Sequence, residues 1–192
     1  EYSVSSSAGG FSAALIDPDS QGFSAATACT GSGKTKNVRQ VGWIELGACD
    51  GGEPGWIADG SYAPGLFAFG NNFDPNTGRF TVSEYGMYFT SATIRIDQAD
   101  DGIFAFGVLT NGEQSFGGGV TSMQAALASN YDSFCTVGIR ALEQGDFLSV
   151  WVYSETDASY RTQLDRGGFH VAMLSHELPS ENGADVDVLA DG

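Results

Sequence analysis

The sequence predicts an all-β protein, a sandwich or barrel of eight or more short strands, on three observations. Apolar and polar residues alternate at period two along much of the chain. Turn signals recur at Asp17-Pro18-Asp19, at residues 73–78, at Asn111-Gly112 and at residues 143–146. No segment holds a helical period over several turns, and no repeat of fixed length marks a solenoid or propeller.

Each element follows in order. Residues 11–16 read as a first strand that stops at Asp17-Pro18-Asp19. Residues 17–63 are rich in Gly, Ser, Thr and Asp and read as a long insertion, with one or two short strands near the apolar patch at 38–46. Strands then follow over 66–69, 79–82 and 86–96, and residues 97–102 read as a loop. Residues 103–110 read as a strand turned by Asn111-Gly112, the strongest short hairpin signal. Residues 117–128 read as strand or short helix, and 133–142, 147–153 and 168–174 as strands. A single domain over 1–178 is expected, followed by an acidic, disordered tail over 179–192.

Charge excludes some partners. Eight Lys and Arg stand against 24 Asp and Glu, a net charge of −16. Nucleic acid is bound mainly through Lys and Arg on phosphates, so it is not an expected partner. No apolar run approaches the roughly 18 residues of a membrane helix. The acidity keeps a protein soluble, and it leaves cations or basic partners open.

Three cysteines leave at least one without an intrachain partner. Cys29 and Cys49 flank a Gly-rich stretch and are expected to be bridged, against the alternative of two unrelated thiols. A bridge fits an oxidising compartment, and the chain is read as secreted. No signal peptide is seen ahead of Glu1, and one is expected to have been removed. Cys135, inside an alternating apolar run, is expected to be a buried free thiol.

One set of motifs has a familiar order. Residues 73–82 hold Phe73-Asp74-Pro75, Gly78 and Phe80, and Gly86-Met87-Tyr88-Phe89 follows. Gly145-Asp146 precedes Val150-Trp151-Val152, and Gly168-Phe169 opens the last strand. With Phe11-Ser12-Ala13 at the start, this order resembles the C1q globular head, over residues 10–16 and about 64–176. The resemblance implies a jelly-roll β-sandwich of about ten strands, of the C1q/TNF type, that forms a homotrimer. It places Tyr88, Phe89, Trp151 and Phe169 in the core or the interface. The long 17–63 segment, the lack of a preceding collagen repeat and the acidic tail depart from the family's pattern.

Little points to catalysis, and no enzyme is expected. Residues 28–35 fit the loosest phosphate-loop pattern, but neither a buried strand before it nor a helix after it is expected. His170 and His176 fall on one face of a strand with no third ligand at metal spacing. No Gly-x-Ser-x-Gly or His-Glu-x-x-His occurs.

Two binding chemistries remain. Calcium takes hard oxygen ligands, and Asp97, Asp100 and Asp101 cluster in one expected turn. The resemblance adds Asp132, where several C1q-like proteins place a calcium-binding Asp; the companion position falls on Gln124. Solvated loop acids are the plainer reading of the four. A glycan would use aromatic faces and bidentate arginine, with Trp43, Trp56, Tyr62, Tyr160, Arg161 and Arg166 as candidates. The sequence therefore reads as a secreted trimeric module that binds a glycan, a microbial surface or a protein through end loops. The alternative is a structural component of an extracellular matrix or large complex, assembled with calcium.

Overall fold

A computed structural model describes residues 21–27, 35–38, 41–49, 54–58, 67–69, 71–98, 102–113, 120–126, 132–154 and 160–176. These residues contain thirteen strands and no helix. They are β1 (Gly22–Thr27), β2 (Thr35–Val38), β3 (Gly42–Glu45), β4 (Trp56–Ile57), β5 (Phe67–Phe69), β6 (Phe73–Asp74) and β7 (Arg79–Thr81). The longer ones follow: β8 (Gly86–Gln98), β9 (Gly102–Thr110), β10 (Val120–Ala126), β11 (Asp132–Leu142), β12 (Phe147–Ser154) and β13 (Tyr160–Ser175).

All pairings are antiparallel. One sheet runs β11-β8-β13-β1-β4, with β2 also on β13 and β5 also on β1. The other runs β10-β9-β12-β7-β6, with β3 also on β12. Alternation decides which side chains meet between them. Tyr88, Ala92, Ile94 and Ile96 of β8 share one core with Phe106 and Val108 of β9, and with Leu148, Val150 and Val152 of β12. Phe169, Val171 and Met173 of β13 complete its centre. Phe23 of β1 stacks on Phe73 at 4.0 Å between ring centroids and meets Phe169 edge-on at 4.9 Å.

The turn chemistry holds. At residues 74–78 the Asp74 carboxylate accepts from the Asn76 backbone N–H at 2.9 Å and from the Thr77 hydroxyl at 2.8 Å. The Asn76 N–H leads in holding Asp74 below its usual carboxylate pKa. Gly78 closes the turn at φ +68°, and its N–H donates to the Asp74 carbonyl. Asn111 and Gly112 take φ of +53° and +68°, as the turn signal requires. They do not close a two-residue hairpin, since β10 begins only at Val120, opposite Val108.

The structure revises several expectations. Segment 17–63 was expected to carry one or two short strands, yet four lie among its described residues. The strand that pairs with β13 at the start of the chain is β1 at 22–27; residues 11–16 lie outside the described residues. Within residues 117–128, expected as strand or short helix, Val120–Ala126 form strand β10. The last strand is sixteen residues long, not seven, with a bulge between Gln163 and Gly168 that absorbs its polar stretch. Residues 28–34 and 179–192 lie outside the described residues.

Candidate functional site

Part of the outer face of the seven-stranded sheet, along β11 and the adjoining stretch of β8, is apolar where a free surface would be polar. On β11, Phe134, Thr136 and Leu142 turn inward and are buried, so Cys135, Val137, Ile139 and Ala141 turn outward. Val137 is 55% and Ile139 60% exposed. Across the ladder Ile139 stands opposite Phe89 and Val137 opposite Ser91, with half-buried Met87 opposite Ala141. Leu174, near the end of β13, is 42% exposed. Isolated exposed apolar residues are ordinary, but a contiguous row on one face marks an interaction surface. β11 is also the sheet's edge strand, which natural proteins seldom leave both apolar and uncovered.

The middle of this face holds a polar pair. Ser24 on β1 and His170 on β13 are cross-strand partners, with Ser24 Oγ 2.8 Å from His170 Nδ1. The imidazole leans over Gly168, where a Cβ would lie 2.7 Å from Nε2. Burial lowers the pKa of His170. Cys135, expected to be buried, is instead an exposed free thiol, because the inward phase of β11 belongs to Phe134 and Thr136.

A second group gathers at one end of the sheet. Asp132 opens β11 opposite Ile96. Asp97 follows Ile96 on β8 and stands opposite Arg161 of β13. Tyr160 is opposite Gln98. The register thus brings Asp97, Asp132, Tyr160 and Arg161 to the same end of one sheet. Asp97 is the penultimate residue of strand β8 and not part of a turn. Asp100, Asp101, Tyr62 and Cys29 lie outside the described residues. Arg166 falls within the β13 bulge. Among the described residues no three His, Cys, Asp or Glu side chains gather as metal ligands.

Two glycan candidates take other roles. Trp56 is 2% exposed, and its Nε1 donates to the Leu46 carbonyl at 3.0 Å, so it serves the core and offers no face to a ligand. Trp43 is carried by β3, not by a loop; it is 9% exposed and packs on Tyr153 at 5.4 Å on the outer face of the six-stranded sheet. Trp151 lies half-buried beside that cluster. Nearby, Arg79 grips Glu45 through Nε and Nη2 at 2.7 and 2.6 Å and lies over the Phe147 ring at 4.5 Å. The Glu45 hydrogen bond is the main cause raising the Arg79 pKa. Sequence reading missed the apolar face because alternation along β11 does not say which phase is inner; the apolar phase Cys135, Val137, Ile139 and Ala141 was its available signal.

The two antiparallel sheets and their strand order can be set beside solved structures. The chain superposes on the Eiger TNF of S. frugiperda with a TM-score of 0.52, at 13% identity, over 83% of this chain and 96% of that one. It superposes on the globular domain of the zebrafish complement 1qA protein with a TM-score of 0.52, at 11% identity, over 82% and 99%. The fold is a C1q/TNF-like jelly roll. No family model matches the chain, and no curated protein matches its sequence. On this jelly roll the apolar row lies along β11 and the adjoining stretch of β8, and Asp97, Asp132, Tyr160 and Arg161 gather at one end of that sheet.

Proposed function

We propose that the chain is a secreted recognition module that assembles as a homotrimer through the outer face of its seven-stranded sheet. The observation that carries this reading is the exposed row Val137 and Ile139 on an edge strand, continued by Phe89. Burying what remains exposed of each aliphatic side chain is worth roughly 1–2 kcal/mol per protomer. A second and third copy of the chain fit this row because Cys135, Val137, Ile139 and Ala141, with Met87, Phe89 and Ser91 beside them, carry no charge on a molecule of net charge −16, whose like-charged surfaces would otherwise repel. The likeness to a complement globular domain supports the module reading.

In this reading the ligand, a glycan or a protein, meets the end that carries Asp97, Asp132, Tyr160 and Arg161. Calcium is proposed there on the carboxylates, with Asp100 and Asp101 as further donors. No catalytic role is proposed. A Cys29–Cys49 bridge belongs to the same proposal, with Cys49 buried and Cys135 left as an exposed free thiol.

Light scattering tests the assembly. The expected mass is three chains for the native protein and one chain for Ile139→Asp with its fold retained. A native monomer at high protein concentration overturns the trimer. A glycan array with Arg161→Ala as control tests the ligand end, and binding that ignores this substitution places the ligand elsewhere.

A further inference from the structure

The slot that β1 fills makes four separate demands on its occupant. A Cβ at Gly22 would lie 2.8 Å from the Val171 carbonyl oxygen, so the first position must be glycine. The second must fill the aromatic pocket between Phe73, Phe80 and Phe169, where the Phe23 ring sits at 4.0, 5.3 and 4.9 Å from theirs and is 1% exposed. The third must bring a short hydroxyl to His170, as Ser24 does at 2.8 Å. The fourth must be small, since Ala25 is 0% exposed.

Residues 10–14 are Gly-Phe-Ser-Ala-Ala, and residues 22–26 are Gly-Phe-Ser-Ala-Ala. The two strings are identical and stand twelve residues apart, from 22 − 10. Twelve is even, so a slip by that distance keeps every side chain on its own face of the sheet, where a slip of one residue would invert them all.

We propose that residues 10–14 are a second occupant of the β1 slot, able to replace residues 22–26 between β13 and the β4/β5 edge by a twelve-residue strand slip within the same chain. In the slipped state Phe11 takes the place of Phe23, and Ser12 meets His170. The connection to β2 lengthens by the same twelve residues. Its closure entropy grows only with the logarithm of loop length, so the added loop is a weak obstacle. The first residue after each string differs, Leu15 against Thr27, and Thr27 pairs with Trp56. The residue before each string differs too, Gly9 against Gln21, so the slipped register forgoes the hydrogen bonds that Gln21 Oε1 accepts from Asn72, Ser83 and Tyr88 and is the less stable of the two. The slip would return residues 22–27 to solvent and give the molecule two native registers.

The test uses the full chain in four forms: native, Phe11→Asp, Phe23→Asp and the double variant. Circular dichroism and urea unfolding report the fold, and amide hydrogen exchange reports which segment is protected. A buried aspartate in the aromatic pocket should unfold the protein unless another segment takes the slot. The expected result is a near-native Phe11→Asp, a folded Phe23→Asp with a lowered urea midpoint, and an unfolded double variant. In Phe23→Asp, protection should move from residues 22–26 to residues 10–14. Two results overturn the proposal: Phe23→Asp as unfolded as the double variant, or a folded Phe23→Asp with no protection at residues 10–14.

Discussion

Ser24 and His170 are cross-strand partners whose Oγ and Nδ1 atoms lie 2.8 Å apart on the outer face of the seven-stranded sheet. With a neutral imidazole protonated at Nε2, the serine hydroxyl donates to Nδ1. From β8 the residue opposite is Ser91, and on β13 itself the ring leans over Gly168. None of these neighbours can compensate a charge.

A pH dependence follows from this pair. Burial lowers the folded-state pKa of His170, so the unfolded chain binds the proton more readily. The associated stability is fully present above the unfolded value near 6.5 and is lost as pH falls from there through the lowered folded value. Urea midpoints at pH 7.5 and pH 5 should fall more steeply for the native protein than for His170→Gln. Equal slopes would remove His170 from the account.

Gly78 and Gly145 separate two costs of replacing a turn glycine. Both have positive φ, +68° and +95°. A Cβ on Gly145 meets nothing within 4 Å, while one on Gly78 would lie 2.5 Å from Trp56 Nε1 and 2.9 Å from the Leu46 carbonyl oxygen. Gly145→Ala should cost about 1 kcal/mol of backbone strain. Gly78→Ala should cost about 1–3 kcal/mol beyond that, because it also disturbs the Trp56–Leu46 hydrogen bond. Paired chemical denaturation gives the difference, and equal losses would show that Trp56 yields freely.

Cys135 reports on assembly. It is an exposed thiol two residues from Val137 on the face assigned to subunit contacts. A maleimide should label it slowly in the trimer and several-fold faster in the dissociated Ile139→Asp variant. Fast labelling of a verified trimer would move the contact away from β11.

The Arg79–Glu45 pair should matter modestly despite its geometry. Its two hydrogen bonds are short, but the Arg79 side chain is 43% exposed and water screens the charges. Glu45→Gln should cost at most about 1 kcal/mol, with a smaller cost in high salt. Urea titrations at low and high ionic strength check both.

The long strands were readable because their alternation is strong. β8, β9, β11 and β12 lie within a few residues of their expected bounds, and the turn at 74–78 carries its own chemistry. Phase was harder to read. Alternation defines two faces of β11 without saying which is inner, and Cys135 was assigned to the wrong one. The first strand was assigned to residues 11–16, which lie outside the described residues, and an identical five-residue string at 22–26 forms β1. The polar run inside β13 hid a strand that continues through a bulge. The gathering of Asp97, Asp132, Tyr160 and Arg161 depends on register between distant strands, which no local pattern encodes.

Arg140 gives the molecule a weak seam. It turns inward from edge strand β11 and reaches the opposite sheet, where Nη1 donates to the Val108 carbonyl at 3.2 Å and to Thr110 Oγ1 at 3.1 Å. Its Nη2 is buried without a hydrogen-bond partner, and burial lowers the guanidinium pKa. A cation kept from water and left short of a bond regains hydration whenever the two sheets part at that margin. Breathing of the sandwich should therefore start between β9 and β11 and spread inward, with the spine of β8 and β13 last to open. Proteolytic nicking and ageing of the isolated protomer would begin along the same margin.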